Sequence, residues 1–80
     1  MKFCVIGLGR FGYQLAVSLA NRGMEVMAVD NNEEIIESIR DEVTQAVCIN
    51  IVNEESLQTI GIEEMDTVIV AMGENFSQSI

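Results

Sequence analysis

The chain contains no histidine and no proline, and only four of its 80 residues are cationic. Each scarcity removes a class of function. With no histidine and two cysteines, a metal site has few ligands to draw on. The longest apolar stretches, around Met24–Val29 and Val68–Met72, are strand-length and far below the ~20 residues a membrane span requires. Direct insertion in a membrane is therefore not expected. Met1-Lys2 leads straight into a strand, without the layout of a signal peptide, so a cytoplasmic location is expected.

Lys2, Arg10, Arg22 and Arg40 face thirteen acidic residues, for a net charge of −9. Such a surface repels phosphodiester backbones, which argues against nucleic acid and anionic membranes as partners. Any phosphate bound here must be held mainly by backbone N–H groups, with Arg10 the one side-chain exception. Cys4 and Cys48 fall in predicted strands separated by a third, roughly 9–10 Å apart, whereas a disulfide needs Cα atoms within ~7 Å. Two buried, reduced thiols are expected.

What is present is apolar and regularly patterned. Hydrophobic residues make up 49% of the chain, too many for disorder. Eighty residues form one small domain, which buries only a little over ~60% of its extended-state surface and is marginal alone. Phe3–Ile6 reads as a buried strand ending at a glycine. Arg10–Arg22 has helical spacing, with Phe11, Leu15 and Leu19 on one stripe and Gly12, Ala16 and Ala20 on a small-residue stripe beside it. Gly23 stops that helix. Glu25–Val29 is a second strand, and Asn31 or Asn32 caps a helix that buries Ile35, Ile36 and Ile39. Gln45–Ile49 is a third strand. Asn53 is placed to cap a short helix through Ile60, and Thr67–Ala71 is a fourth strand. A further helix is expected to open at Asn75 or Ser77. No repeat, linker or low-complexity segment interrupts this order. Alternation of strands with crossover helices implies an α/β fold with a parallel sheet, and right-handed crossovers fix its handedness. The expected form is Rossmann-like, four strands in the order 3-2-1-4 with helices on both faces.

The chemistry concentrates in Gly7-Leu8-Gly9-Arg10-Phe11-Gly12. A bare GxGxxG pattern is weak evidence, but here a strand precedes it and a helix follows. Asp30 closes the next strand eighteen residues beyond Gly12, near the ~20 expected of a dinucleotide grip. Gly7 allows the tight turn, Gly9 lets backbone approach a pyrophosphate, and Gly12 lets helix and strand pack closely. The helix N-terminus then offers free N–H groups to the anion. Asp30 is suited to accept hydrogen bonds from a ribose diol and to repel a 2′-phosphate, favouring NAD(H) or an adenine nucleotide over NADP(H). Asn31 is either a ribose contact or a helix cap. Asn50 and Ile51 lie where adenine would sit, and Ala71 and Met72 end strand four near the pyrophosphate or second ribose. Asn31, Asn50, Ile51 and Met72 each also have a reading as an ordinary cap, turn, core or strand-end residue. No His, Lys or Cys stands beyond strand four to move a proton.

These residues resemble a known family. FCVIGLGRFGYQLAVSLANRGMEVMAVDNNEEIIESI, then TQAVCIN, then GIEEMDTVIVAMGEN, is similar to the KTN/RCK domain, the nucleotide-binding regulatory subunit of bacterial potassium channels and transporters. The resemblance covers nearly the whole chain and is carried most specifically by Gly-Leu-Gly-Arg-Phe-Gly with Val-Asp at the end of strand two. It implies a domain that is no enzyme, binds NAD(H) or ATP/ADP, dimerises, and passes a ligand-dependent shape change to a membrane pore. It assigns the phosphate loop to Gly7, Gly9, Arg10, Phe11 and Gly12, with Leu8 inside it, the ribose to Asp30 and the adenine to Asn50 and Ile51. The family often has Gly-Asp-Ala at the end of strand three, where this chain has Ile49-Asn50-Ile51.

Such domains continue through two more strands, so residues 1–80 are expected to form a single truncated dinucleotide-binding domain. Strand four would then be an open apolar edge, and a symmetric homodimer through Thr67–Ala71 is expected. Two alternatives stand beside the regulatory reading. One is the cofactor-binding half of an NAD-dependent dehydrogenase; the other is a self-associating fragment that has lost ligand binding.

Overall fold

A computed structural model describes residues 1–51 and 54–71. The expected cap at Asn53, the helix opening at Asn75 or Ser77, and Met72 lie outside the described residues. The elements run β1 (Lys2–Ile6), α1 (Arg10–Asn21), β2 (Glu25–Asp30), α2 (Glu33–Ile39), β3 (Gln45–Cys48), α3 (Glu54–Thr59), a 3-10 turn (Ile62–Glu64) and β4 (Thr67–Val70). All pairings are parallel, in the order β3-β2-β1-β4. The expected Rossmann-like α/β sheet is what the chain forms.

Strand alternation divides the core in two. Val5, Val26 and Ala28 point to one face, where Ala16, Ile36 and Ile39 from α1 and α2 cover them. Cys4, Ile6, Met27 and Val29 point to the other, against Leu57, Ile60, Ile62 and Met65. Full burial of each such aliphatic side chain contributes about 1.5–3 kcal/mol. The 3-10 turn was not expected from the sequence; it lets Ile62 and Met65 close the second face before the chain enters β4. Side chains and backbone together set the starts of the strands. The Lys2 amide donates to the Asp66 carboxylate at 2.7 Å, and the Asp66 amide returns a bond to the Lys2 carbonyl at 2.9 Å. Thr44 Oγ1 accepts from the Val26 amide at 3.0 Å.

The packing of α1 follows its stripes, and one cysteine departs from expectation. On α1 the small-residue stripe, Gly12 and Ala16, is the buried one, and Phe11 is left 68% exposed. Neighbouring helical positions are ~100° apart, so turning Gly12 onto the sheet carries Phe11 off it. Cys4 is buried as expected, but Cys48 is exposed, and both are free thiols. Cys48 sits on an edge strand, paired among the described residues on one side only, and it lines the open hollow between β3 and α2. Burial pushes the Cys4 thiol up from 9.0 to about 11, so it stays protonated and unreactive near neutral pH. Titration with a thiol-reactive disulfide at pH 8 is expected to label one equivalent rapidly in the native protein and the second only in denaturant. Fast labelling of both would contradict this packing.

Candidate functional site

The strand ends that matter finish at one level. In register, Ile6 faces Val29 on one side and Val70 on the other. The ladder runs on past the strands, with Gly7 N donating to Val29 O at 2.8 Å, Ile49 N to Asp30 O at 2.9 Å, and Ala71 N to Ile6 O at 2.7 Å. Gly7, Asp30, Ile49 and Ala71 therefore share the carboxyl edge of the sheet. β1 leads to β2 on one side, while β4 lies on the other, so this edge contains the point where strand order reverses. In open parallel sheets that is where ligands bind.

The three loop glycines answer to different demands. Gly7 has φ of 94°, a left-handed conformation costly for other residues. Gly12 is excluded from carrying a side chain, because a Cβ there would overlap the Gly7 carbonyl oxygen and lie 3.3 Å from the Ala71 Cβ. Gly9 is otherwise. Its backbone, φ −70° and ψ −164°, is open to any residue, and a Cβ would meet nothing within 4 Å. Nothing among the described residues requires glycine there. The empty space lies at the N-cap of α1, where a ligand would approach.

That helix start is prepared for an anion. The first amides of a helix have no intrahelical acceptor, and α1 has no side-chain cap and no acidic residue in its first turn. The start of α2 is the opposite: Asn32 Oδ1 accepts from the Glu34 amide at 2.9 Å, and Glu33 and Glu34 occupy the first turn. A bound anion would be favoured at the first helix and repelled at the second. Arg10 is exposed and makes no ion pair among the described residues, so its charge is available beside the loop.

A shallow cleft of about 70 Å³ adjoins the loop, lined by Ile6, Gly7, Val29, Asp30, Asn31, Ile49, Asn50 and Ile51. It brings together the residues expected to meet ribose and base. Asn50 and Asn31 are exposed, and because Asn32 is the cap, Asn31 is released from that duty. Ile51 is half-buried against the core below. Larger hollows lie elsewhere. One of about 280 Å³ sits at the opposite, amino ends of the strands, between Lys2, Thr44 and Glu64. Another of about 670 Å³ is walled by Glu33, Glu34 and Glu37, which would repel phosphate.

Within the loop, Leu8 is turned inward. Its side chain is 2% exposed, in the core beneath α2, and its amide donates to Asp30 Oδ2 at 2.7 Å. Leu8 thus presents neither side chain nor N–H to a ligand, a departure from its expected place among the contacts. The sequence pattern already marked it, since an apolar residue between two glycines after a buried strand has the core as its natural destination.

Residues 3–80 match the TrkA-N domain family. The chain belongs to it. The KTN/RCK resemblance read from the glycine loop and Val29-Asp30 is thereby shown at the level of family. Among curated relatives, the Ktr system potassium uptake protein A of Bacillus subtilis is 44% identical over 78 residues, covering 98% of this chain and 35% of its own length. The Ktr system potassium uptake protein C of the same organism is 40% identical over 79 residues, covering 99% of this chain and 36% of its own. The Ktr system potassium uptake protein A of Vibrio alginolyticus is 37% identical over 79 residues, with coverage of 99% and 36%. The chain spans about a third of the length of these relatives.

The glycines give paired expectations. Gly12→Ala should lower stability by about 1–3 kcal/mol from overpacking, despite Ala's better helix propensity. Gly9→Ala should stay within about 1 kcal/mol of the parent. Urea denaturation of both variants checks this, and equal losses would contradict the distinct roles assigned to the two positions.

Proposed function

We propose that the chain is a nucleotide-binding regulatory module of a bacterial potassium channel or transporter, taking NAD(H) or ATP/ADP and performing no catalysis. The observation that carries the reading is Gly9. It is a glycine that the fold does not need, placed against four amides (Gly9 to Gly12) for which the described residues supply no acceptor. The potassium uptake proteins it is similar to support the setting, a cytoplasmic module acting on a membrane partner subunit.

In this reading the phosphates rest on the amides of Gly9, Arg10, Phe11 and Gly12, with the Arg10 guanidinium adding charge. Asp30 takes the ribose diol, while Asn31, Asn50 and Ile51 border the base and Ala71 and Met72 the far side of the pyrophosphate. The absence of histidine and the engagement of the Tyr13 hydroxyl with the Ser38 carbonyl at 3.1 Å support a site that binds without reacting. The acidic surface supports a partner that is neither nucleic acid nor anionic lipid.

β4 supports a further element of the reading, a symmetric homodimer. Among the described residues it pairs only with β1, and Val68 and Val70 are 39% and 47% exposed, forming an apolar edge that invites a second strand. Sedimentation at micromolar concentration should give a dimer that Val70→Lys dissociates. A folded monomer of the parent chain would sink this part of the proposal.

Calorimetric titration with NADH, ATP and ADP tests the central claim. Binding of at least one is expected, with NADPH weaker than NADH by roughly tenfold or more, about 1.4 kcal/mol. Tighter binding of NADPH would remove the role given to Asp30. Heat from none of the four would favour the reading in which the chain self-associates without a ligand.

A further inference from the structure

We infer that Asp30 is a positioning residue for the phosphate loop, in addition to any contact with ribose; the inference rests on the phosphate site proposed above. Its carboxylate already has two partners in the free protein. Oδ2 accepts from the Leu8 amide at 2.7 Å and Oδ1 from the Asn32 amide at 2.9 Å. Its own carbonyl accepts from Ile49 N at 2.9 Å. One residue therefore ties together the glycine loop, the entry to α2 and the end of β3.

The bond to Leu8 does the positioning. Leu8 is fixed on one side by its buried side chain and on the other by this charge-assisted bond, about twice as strong as a neutral one. Gly9 follows directly; a Cβ built there would meet nothing within 4 Å, and its carbonyl accepts from the Tyr13 amide of the helix at 2.9 Å. What holds the direction of the loop's free amides is thus the pinned residue before them and the helix after them. The arrangement needs a carboxylate. Two oxygens with about four acceptor sites can satisfy both amides and still receive ribose hydroxyls. A carboxamide has one oxygen, so its NH2 would be set against either the Leu8 or the Asn32 amide, donor to donor. A partly buried N–H would lose its partner, and the loop its brace.

A ligand without ribose separates this role from sugar recognition. Inorganic tripolyphosphate and ATP are titrated into the parent protein and into Asp30→Asn, with the folded fraction checked by circular dichroism. Removing a negative charge beside an anion site should by itself tighten tripolyphosphate. The positioning role demands the reverse: tripolyphosphate affinity falls roughly tenfold, equivalent to about 1.4 kcal/mol, and ATP affinity falls further. Unchanged or tighter tripolyphosphate with weakened ATP would overturn the inference and leave Asp30 a ribose contact alone. A parent protein that binds neither probe fails differently, because it removes the phosphate site itself.

Amide hydrogen exchange in the parent protein gives an answer even where the variant does not fold. The Leu8 amide should exchange far more slowly than those of Gly9, Arg10 and Phe11 in the free state. Tripolyphosphate should then protect the latter three and leave Leu8 as it was. A Leu8 amide that exchanges as fast as that of Gly9 would overturn the proposal.

Discussion

Everything at the ligand edge depends on the contact between the backbone of Gly12 and the carbonyl of Gly7. Because no Cβ intervenes, α1 reaches the sheet within a turn of leaving β1. That approach buries Ala16, sends Phe11 outward, and brings the uncapped first turn of the helix level with the ends of β1, β2 and β4. A wider gap would need larger side chains on α1 to fill it, and the free amides would then point above the strand ends. The placing of these free amides at the strand ends is a by-product of close packing. Asp30 refines it from the second strand.

Most of the architecture was legible because the sequence expresses it redundantly. The four strands are short apolar runs bounded by glycine or polar residues, and their alternation with helices leaves few topologies once right-handed crossovers are required. The order β3-β2-β1-β4 was expected only once the glycine loop and Asp30 had marked the sheet as Rossmann-like. What escaped were properties of neighbourhood rather than of pattern. How far Phe11 would be left exposed could not be read from its spacing with Leu15 and Leu19, because it depends on which of two adjacent stripes meets the sheet. The smaller one won because it allows the closer approach. Cys48 reads as core in a strand, but nothing local says that β3 is an edge with an open hollow beside it. The 3-10 turn after Gly61 hides in an acidic stretch with no helical period.

The candidate site shows the same division. Gly7, Gly9, Gly12 and Asp30 could be chosen from spacing, since each occupies a position fixed by the turn from strand to helix. That Asp30 is already bonded to Leu8, and that Leu8 turns inward, are facts of three dimensions that join residues twenty-two apart. The choice between Asn31 and Asn32 as helix cap was likewise open in sequence. It is decided by which side chain lies within reach of the Glu34 amide.

The acidic surface and the glycine loop have a joint consequence for how this protein can be dissected. On the function proposed above, the groups that would face an incoming anion are almost all main-chain N–H, and these survive any exchange of side chains. A scan that truncates residues one by one would pass over most of the phosphate loop in silence, with Arg10 as its one audible position. The loop would answer instead to additions, a methyl group at Gly9 being the smallest. A family in which such a site diverged would keep its function through wholesale change of surrounding residues, and lose it through the gain of a single carbon.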